Sequence, residues 1–432
     1  MRFSFISYRP LPKVEKRILL AILIIVSIGL LLNPPIFSPA SYSFTGASIV
    51  RYPVYVIFMK VLEVLFGQNL GIATVIIQSL FGMVTLYFFY LKLNHVIRIP
   101  LWLRIIVGIL LFVPYFPPFL IAHNIASEGL AYPLYLWMLY YTINTFWLRK
   151  SQHLIYFGIA FLGLVLTRGQ FVIIAPILAV IYLIWQRKKD GVRKKLFTCA
   201  ILFSLPFLAI TLDATFKKMV YGLFTTSPYT FVNAVAMPLF LSNWDDRTAI
   251  KNSDDRAIFE ESYRFIDSLD LLASKVRQGP QAQYQLFHDN FPRICNQNIH
   301  DYGKRYYRQQ GFELGPEFIK IENTCKNLYF ILVGENWKQY LVLYTTGLSY
   351  GFGSYWICLL AFILFGYTVV VFLKNPTDEN ALLFFFATLV MSNALVTAFA
   401  CHSIQRYLFY NYFIECLLLF LIGKKIYLRY AS

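Results

Sequence analysis

Ten apolar segments, each close to the length of a membrane-spanning helix, constrain this sequence more than any other feature. A helix needs roughly 20 apolar residues to cross the hydrocarbon core of a bilayer. Segments of about that length occur at 17–33, 69–91, 101–121, 125–147, 153–167, 170–186, 196–213, 353–373, 381–400 and 407–423. A backbone that crosses lipid must satisfy its own polar groups, so these segments predict helices. We expect an all-α polytopic membrane protein with about ten transmembrane helices.

The charge distribution supports a membrane protein and argues against a nucleic-acid partner. The chain of 432 residues is 58% hydrophobic and 14% charged, and its net charge is +17. Residues 241–340 hold 13 of the 39 basic and 14 of the 22 acidic residues, so this part is nearly neutral. The excess of Lys and Arg therefore lies in the turns between apolar segments, where it indicates topology.

The basic turns also predict the orientation of the chain. Lys and Arg in short loops favour the cytoplasm. Basic clusters precede the first segment and follow the second, fourth, sixth and last segments, for example at 187–195. If the segments cross in alternation, these clusters share one face, so both termini are expected in the cytoplasm. The first segment ends in NPPIF without a cleavage pattern of small residues, which favours an anchor over a removable signal.

The first exterior loop, 34–68, changes character along its length. Pro34 and Pro35 end the first helix because proline removes a backbone donor, and the Ser, Gly and Thr residues that follow favour a loop. Apolar residues return from Tyr52 onward, with Lys60 and Glu63 three positions apart. That pattern predicts a helix lying along the membrane surface, as the floor of a site.

Two ionisable residues lie at predicted exterior turns. Glu128 falls in the first turn of the fourth helix, shortly after His123. The helix dipole favours a carboxylate there, but an acidic group facing a membrane cavity is the alternative. Arg168 follows the fifth segment, on the side where basic residues are disfavoured. It either extends to lipid headgroups or binds an anion through its planar guanidinium.

The last exterior turn carries a dense group of hydrogen-bonding side chains. His402, Gln405, Arg406 and Tyr407 lie within six residues, at the start of the tenth segment. A role in helix packing explains one such polar residue more readily than it explains all four. We interpret the group as a polar cap that contributes to binding.

The remaining hydrophilic segment, 214–350, predicts a small helical exterior part and a three-part organisation. The parts are 1–213 with seven segments, 214–350, and 351–432 with three. Paired aspartates near 245 and 254 lack the spacing of a calcium loop and favour solvated carboxylates. Cys295 and Cys325 both lie in this part, and spacing alone leaves open whether they form a disulfide.

The order of these features resembles the GT-C fold of glycosyltransferases that use polyprenyl-phosphate sugars, especially the branch with protein mannosyltransferases and the lipid A aminoarabinose transferase. RYPVYVIFMKVLEVLFGQNLGIATVIIQSLFG is similar to the family's R-x-P-x-Y segment, in-plane helix and second span. ASEGLAYPLYLWMLYY places Glu128 at a recurrent acidic position of the family, and LVLTRGQFVIIAP resembles its T-R/K turn. SIQRYLFYNYF is similar to its R-Y entry into a late helix.

The resemblance implies an enzyme of the bacterial plasma membrane that moves a sugar to a lipid, glycan or protein acceptor at the outer face. It implies phosphate binding by Arg168 and Arg406, a loop shaped by Tyr42 and Arg51, and Glu128 as the base. His123, His402, Gln405 and Tyr407 are the remaining candidate substrate-binding residues. Because arginine can neutralise the phosphate of the donor, neither a divalent metal nor another cofactor is required.

One departure from the family keeps other functions open. Residues 34–59 contain no Asp or Glu, although the family normally has an acid in its first exterior loop. An inactive GT-C-like scaffold is therefore an alternative. An O-antigen polymerase or ligase fits the long hydrophilic segment but not RYPVY. A lipid or glycan flippase is disfavoured because the second half of the chain does not repeat the first.

Overall fold

The computed structural model describes residues 5–6, 10–186, 191–400 and 402–430, and within these ranges helices are the only extended regular elements. Residues 187–190, part of the basic turn 187–195, lie outside the described residues. Two isolated β-bridges join Ile6 to Ile97 and Ile36 to Asn124. The prediction of an all-α chain is thus confirmed for the described residues.

In the described residues before 187 there are eight α-helices. They are α1 Lys13–Leu31, α2 Pro39–Thr45, α3 Pro53–Phe66, α4 Leu70–Val96, α5 Leu101–Phe112, α6 Glu128–Thr142, α7 Leu154–Val165 and α8 Ile174–Trp185. A π-helical turn, Ile143–Trp147, continues α6, and a 3₁₀ turn, Gly169–Phe171, precedes α8.

The second half of the described chain contains thirteen further helices. The long ones are α9 Val192–Tyr221, α12 Ser253–Ser268, α13 Pro280–Asp289, α15 Asp301–Gln309, α16 Pro316–Glu335, α17 Trp337–Gly351, α18 Tyr355–Lys374, α19 Asp378–Ala400 and α21 Tyr412–Tyr430. The short ones are α10 Thr230–Ala234, α11 Ala236–Leu241, α14 Phe291–Ile294 and α20 Gln405–Leu408.

Several of these helices identify a membrane-embedded protein. Among the described residues, five helical stretches are long and apolar enough to cross a bilayer: Pro53–Val96, Val192–Tyr221, Tyr355–Lys374, Asp378–Ala400 and Gln405–Tyr427. Shorter apolar helices lie at Leu101–Tyr115, Ser151–Val165, Gly169–Trp185 and Thr230–Leu241. The number of crossings and a GT-C arrangement stay predictions.

The first loop, 34–68, differs in part from its prediction. Residues 39–45 form helix α2 where a loop was expected, because Pro39 starts the helix and the side chains of Ser38 and Ser41 form a capping box. Helix α3 follows in the stretch where a helix was predicted, and Lys60 Nζ lies 2.8 Å from Glu63 Oε2 on its exposed side. Its position along the membrane surface stays a prediction. Gly67 caps the end of α3, and its φ of +51° is one that glycine adopts more readily than other residues.

Backbone packing divides the described chain into two compact units, and the first comprises 1–211, 360–392 and 408–432. Its interior is aromatic: Trp147, Tyr132 and Tyr135 are among its largest buried side chains. The Tyr135 hydroxyl donates to Asn411 Oδ1 at 2.6 Å and thereby links α6 to the chain just before α21. Buried tyrosines of this kind need a partner for the hydroxyl, and Asn411 supplies it.

The second unit comprises 212–359 and 393–407 and has an apolar core of its own. Glu322 of α16 accepts hydrogen bonds from the backbone N–H groups of Phe231 (2.8 Å) and Val232 (3.0 Å) and so caps α10. Cys295 and Cys325 are both buried in this core, and no disulfide joins one to the other.

Candidate functional site

The candidate site lies in the first unit, where the first loop meets the turn before α6. The Ile36 N–H donates to the His123 carbonyl at 2.8 Å, and the Ile125 N–H donates to the Ile36 carbonyl at 3.0 Å. These two bonds form the short parallel bridge at Asn124. They fix the loop against the residues that lead directly into Glu128.

The turn that carries Arg168 is fixed against the other end of the same loop. The Val54 N–H, at the start of α3, donates to the Leu166 carbonyl at 3.0 Å. A Cβ added to Gly169 would lie 2.0 Å from the Tyr52 hydroxyl oxygen, so only glycine allows this approach. The loop therefore touches both elements that carry the predicted ionisable residues.

Glu128 and Arg168 form a buried ion pair. Arg168 Nη1 lies 3.1 Å from Glu128 Oε1, and the two side chains are 15% and 6% exposed. Arg168 Nη1 also lies 3.3 Å from Ser127 Oγ, and Arg168 Nε donates to Gln170 Oε1 at 3.2 Å. Glu128 is the first residue of α6, as the sequence predicted, and its cationic partner lies 40 residues later in the chain.

Two polar groups beside this pair were missed by the sequence analysis. The Gln78 side chain is fully buried, and both of its amide atoms lack a hydrogen-bond partner among the described residues. Its Oε1 lies 1.5 Å from the place where a Cβ on Gly129 would be. The buried Tyr55 hydroxyl also lacks a hydrogen-bond partner among the described residues, and it lies within electrostatic range of Glu128.

Buried polar atoms nearly always have hydrogen-bond partners, so the Gln78 amide and the Tyr55 hydroxyl mark a place suited to water or a polar ligand. A weak signal for Gln78 was available, because it is an amide in the middle of the apolar segment 69–91. The sequence did not show which face of the helix Gln78 occupies.

The other predicted residues of the first unit hold the loop together. His123 is buried, and its Nε2 lies 2.8 Å from the Leu30 carbonyl oxygen at the end of α1. Arg51 Nε donates to Ser43 Oγ at 2.7 Å, and its guanidinium lies 4.6 Å from the centre of the Phe44 ring. Tyr42 is 67% exposed and stacks on Phe37.

His402 belongs to the second unit and packs among aromatic rings. Its ring centre lies 4.2 Å from that of Phe291 and 5.1 Å from that of His288. Burial, with a smaller contribution from His288, lowers the pKa of His402 to about 3. The imidazole is therefore neutral at physiological pH.

Gln405, Arg406 and Tyr407 also belong to the second unit, in the short helix α20. Gln405 lies close to Gly353, where an added Cβ would be 2.5 Å from its Nε2. The Tyr407 carbonyl accepts a hydrogen bond from Asn393 Nδ2 at 2.9 Å. Half-buried Arg406 follows Gln405, and its predicted convergence with Glu128 and Arg168 stays a prediction.

Among the residues that the structure describes, no three His, Cys, Asp or Glu side chains are grouped so as to hold a metal ion. No protein family, curated protein or solved structure matches the chain. The evidence for the chemistry of the site therefore comes from the ion pair and the residues around it.

Proposed function

We propose that this chain is a membrane glycosyltransferase that moves a sugar from a polyprenyl-phosphate donor to a lipid, glycan or protein acceptor at the outer face of the membrane. The observation that carries the proposal is the buried Glu128–Arg168 pair under the first loop. Two charges removed from water contribute little net stability as a pair, and ionisable residues at the membrane boundary are usually functional.

The pair contains the two groups that such a transfer needs. An oxygen of the acceptor hydroxyl attacks the anomeric carbon, and the bond from that carbon to the phosphate oxygen breaks. The phosphate leaves with the bonding electrons, and the Arg168 guanidinium stabilises its negative charge. Glu128 accepts the proton from the acceptor hydroxyl. An incoming phosphate competes with Glu128 for Arg168 and so exposes the carboxylate to the acceptor.

The Gln78 amide and the Tyr55 hydroxyl, which lack partners among the described residues, support a polar ligand at this place, since a sugar offers hydroxyl groups to both. Tyr42, Arg51 and His123 shape the binding surface in this proposal, and the candidate residues of the second unit, His402, Gln405, Arg406 and Tyr407, stay predictions from the sequence. The proposed step needs no metal, because the Arg168 guanidinium stabilises the leaving phosphate.

The test is turnover of a polyprenyl-phosphate sugar by the purified full chain in lipid nanodiscs, measured as release of the free polyprenyl phosphate. We expect Glu128→Gln to lower the rate by about 10²- to 10⁴-fold, the usual contribution of a general base. The matched control is Glu63→Gln, which makes the same change in charge on the exposed face of α3 and should leave the rate unchanged.

Turnover that survives Glu128→Gln would remove Glu128 from catalysis. A wild-type chain that binds the donor without releasing polyprenyl phosphate would favour the inactive scaffold. That second candidate is supported by the absence of Asp and Glu from residues 34–59.

A further inference from the structure

Helix α17, Trp337–Gly351, exposes an apolar face although it lies in a segment that was predicted to be hydrophilic. Trp337, Leu341 and Val342 on this face are 57%, 54% and 48% exposed. The opposite face is packed into the core of the second unit, where Leu343 is buried. Apolar side chains on both faces indicate that α17 meets two apolar environments, of which the core of the unit is only one.

The hydroxyl groups along α17 bond to the backbone of the same helix. Thr345 Oγ1 donates to the Leu341 carbonyl at 2.9 Å, and Thr346 Oγ1 donates to the Val342 carbonyl at 2.8 Å. Ser349 Oγ donates to the Thr346 carbonyl at 2.7 Å. These three hydroxyls therefore do not depend on water for a hydrogen bond, which is what a helix in contact with lipid requires.

The stretch without charged residues begins in α17 and continues into a helix that is able to cross the membrane. Residues 339–373 contain no Asp, Glu, Lys or Arg. One crossing needs only roughly 20 apolar residues. Helix α18, Tyr355–Lys374, is long and apolar enough for that crossing and accounts for the second part of the stretch. The first part is most of α17, where no charged side chain requires water.

The middle and the end of α17 both lie beside the ends of helices long enough to cross the membrane. Helices α18 and α19 are joined by the short turn 375–377, so the start of α18 and the end of α19 are on the same side. Tyr355 and Trp356, which start α18 shortly after α17 ends, are 63% and 73% exposed, as is typical of aromatic side chains at the membrane boundary. The Tyr344 hydroxyl, midway along α17, donates at 2.9 Å to the Leu395 carbonyl in the last turns of α19. Two points of α17 are thus at one level, which favours an axis along the membrane surface.

We propose that α17 is a lipid-facing helix that lies in the interface of the bilayer, with Leu341 and Val342 against the acyl chains and Trp337 at the level of the headgroups. The exposed apolar face supplies the area that holds such a helix at the boundary. Tryptophan favours the headgroup level because its ring is apolar and its N–H is a donor. Lys338 Nζ, 5.6 Å from the centre of the Trp337 ring, extends to the headgroups. The proposal is independent of the transferase chemistry at Glu128.

The test is spin labelling of the full chain in lipid nanodiscs, which leave both membrane faces accessible. A nitroxide is attached at Leu341→Cys. Electron paramagnetic resonance then measures its collisions with oxygen, which concentrates in lipid, and with a nickel chelate, which stays in water. We expect oxygen to collide more often than the chelate at this position. The labelled unsubstituted chain gives the background from native cysteines, and a thermal melt of each variant confirms folding.

The matched control is Leu269→Cys, which is also in the second unit. Leu269 is 45% exposed. Asp267 and Asp270 beside it form ion pairs with Lys275 at 2.9 Å and 3.5 Å, so we expect this surface to face water. There the nickel chelate should collide more often than oxygen. The same result at Leu341 would overturn the proposal. Few collisions with either reagent at Leu341 would show that a protein surface covers α17, and would overturn it as well.

Two further labels, at Trp337→Cys and Thr345→Cys, test the orientation of α17. With Leu341 they form one line along the exposed face, with about 6 Å between successive positions along the helix axis. A helix that lies in the interface should give a similar ratio of oxygen to chelate collisions at all three positions. A ratio that changes steadily from 337 to 345 would show that α17 stands across the boundary, and would contradict its placement along the membrane surface.

Discussion

At the residue scale, Glu128 and Arg168 depend on each other because both are largely removed from water. Their side chains are 6% and 15% exposed, and the charged atoms lie 3.1 Å apart. Removing one partner of a buried pair leaves an uncompensated charge, which costs about 3–5 kcal/mol in proteins. Replacing both partners by neutral groups avoids most of that cost.

We therefore expect Arg168→Met to lower the free energy of unfolding by about 3 kcal/mol, because the Glu128 carboxylate loses its guanidinium. The double variant with Glu128→Gln should recover most of the loss. Thermal melts of the four proteins in one detergent measure the coupling. If the double variant lost as much free energy of unfolding as the two single variants together, the two residues would act separately.

The exposed pair on α3 is the control for this cycle. Lys60 and Glu63 are 47% and 45% exposed and lie 2.8 Å apart, so the distance between the charges is similar but both side chains are exposed. Lys60→Met should change the free energy of unfolding by less than about 1 kcal/mol. The comparison separates the effect of burial from that of contact.

The same residues show how far the sequence predicted the site. Glu128 and Arg168 were recognisable because a charge beside an apolar segment needs a physical reason. Gln78 and Tyr55 were not recognisable, because the sequence alone does not show which face of a helix packs against its neighbours. The pairing of Glu128 with Arg168 also depends on tertiary contact, which local sequence does not contain.

At the scale of elements, local signals predicted helix positions well and helix ends less well. The turn at Arg168 separates α7 from α8, in agreement with the separate apolar segments predicted at 153–167 and 170–186. The segment 214–350 was expected to be helical, and within it residues 280–309 form α13, α14, a π turn and α15 in succession. Pro292 near the start of α14 lacks a backbone donor and marks one of these breaks.

Gly129 determines how closely α6 approaches α4. A Cβ at this position would lie 1.5 Å from Gln78 Oε1 and 2.6 Å from the Ile121 carbonyl oxygen, which is backbone and cannot turn away. We expect Gly129→Ala to destabilise the protein by about 1–3 kcal/mol, the usual cost of overpacking. Thermal melts in detergent measure this, and the rate of sugar transfer should fall as well because Glu128 moves with Gly129.

Gly163→Ala on α7 is the matched control. A Cβ there would lie 3.5 Å from Leu134 Cδ2, which is ordinary contact, and alanine favours helix over glycine. This variant should be as stable as the wild-type chain or more so. If Gly129→Ala behaved in the same way, the close approach of Gln78 would not constrain α6.

At the scale of the whole molecule, composition and segment length were sufficient to predict an all-α membrane protein, because both are properties of local sequence. The division into units was less accessible. The boundaries of the two units fall at 211–212, 359–360, 392–393 and 407–408, inside α9, α18, α19 and α20. No change in composition marks these points, since each lies within a continuous helix, and the predicted three-part division remains a prediction.

The distribution of Lys and Arg makes a prediction about the whole molecule that labelling can check. It assigns the first loop to the exterior and the turn after α6 to the cytoplasm. Tyr42, which is 67% exposed, and Lys150, which is also exposed, are suitable positions for introduced cysteines.

In intact cells a membrane-impermeant maleimide should label Tyr42→Cys, whereas Lys150→Cys should react only after permeabilisation. The unsubstituted chain measures background labelling, which should be low for the buried Cys295 and Cys325. The reverse pattern would place Glu128 and Arg168 on the cytoplasmic side and would exclude an exterior polyprenyl-phosphate donor.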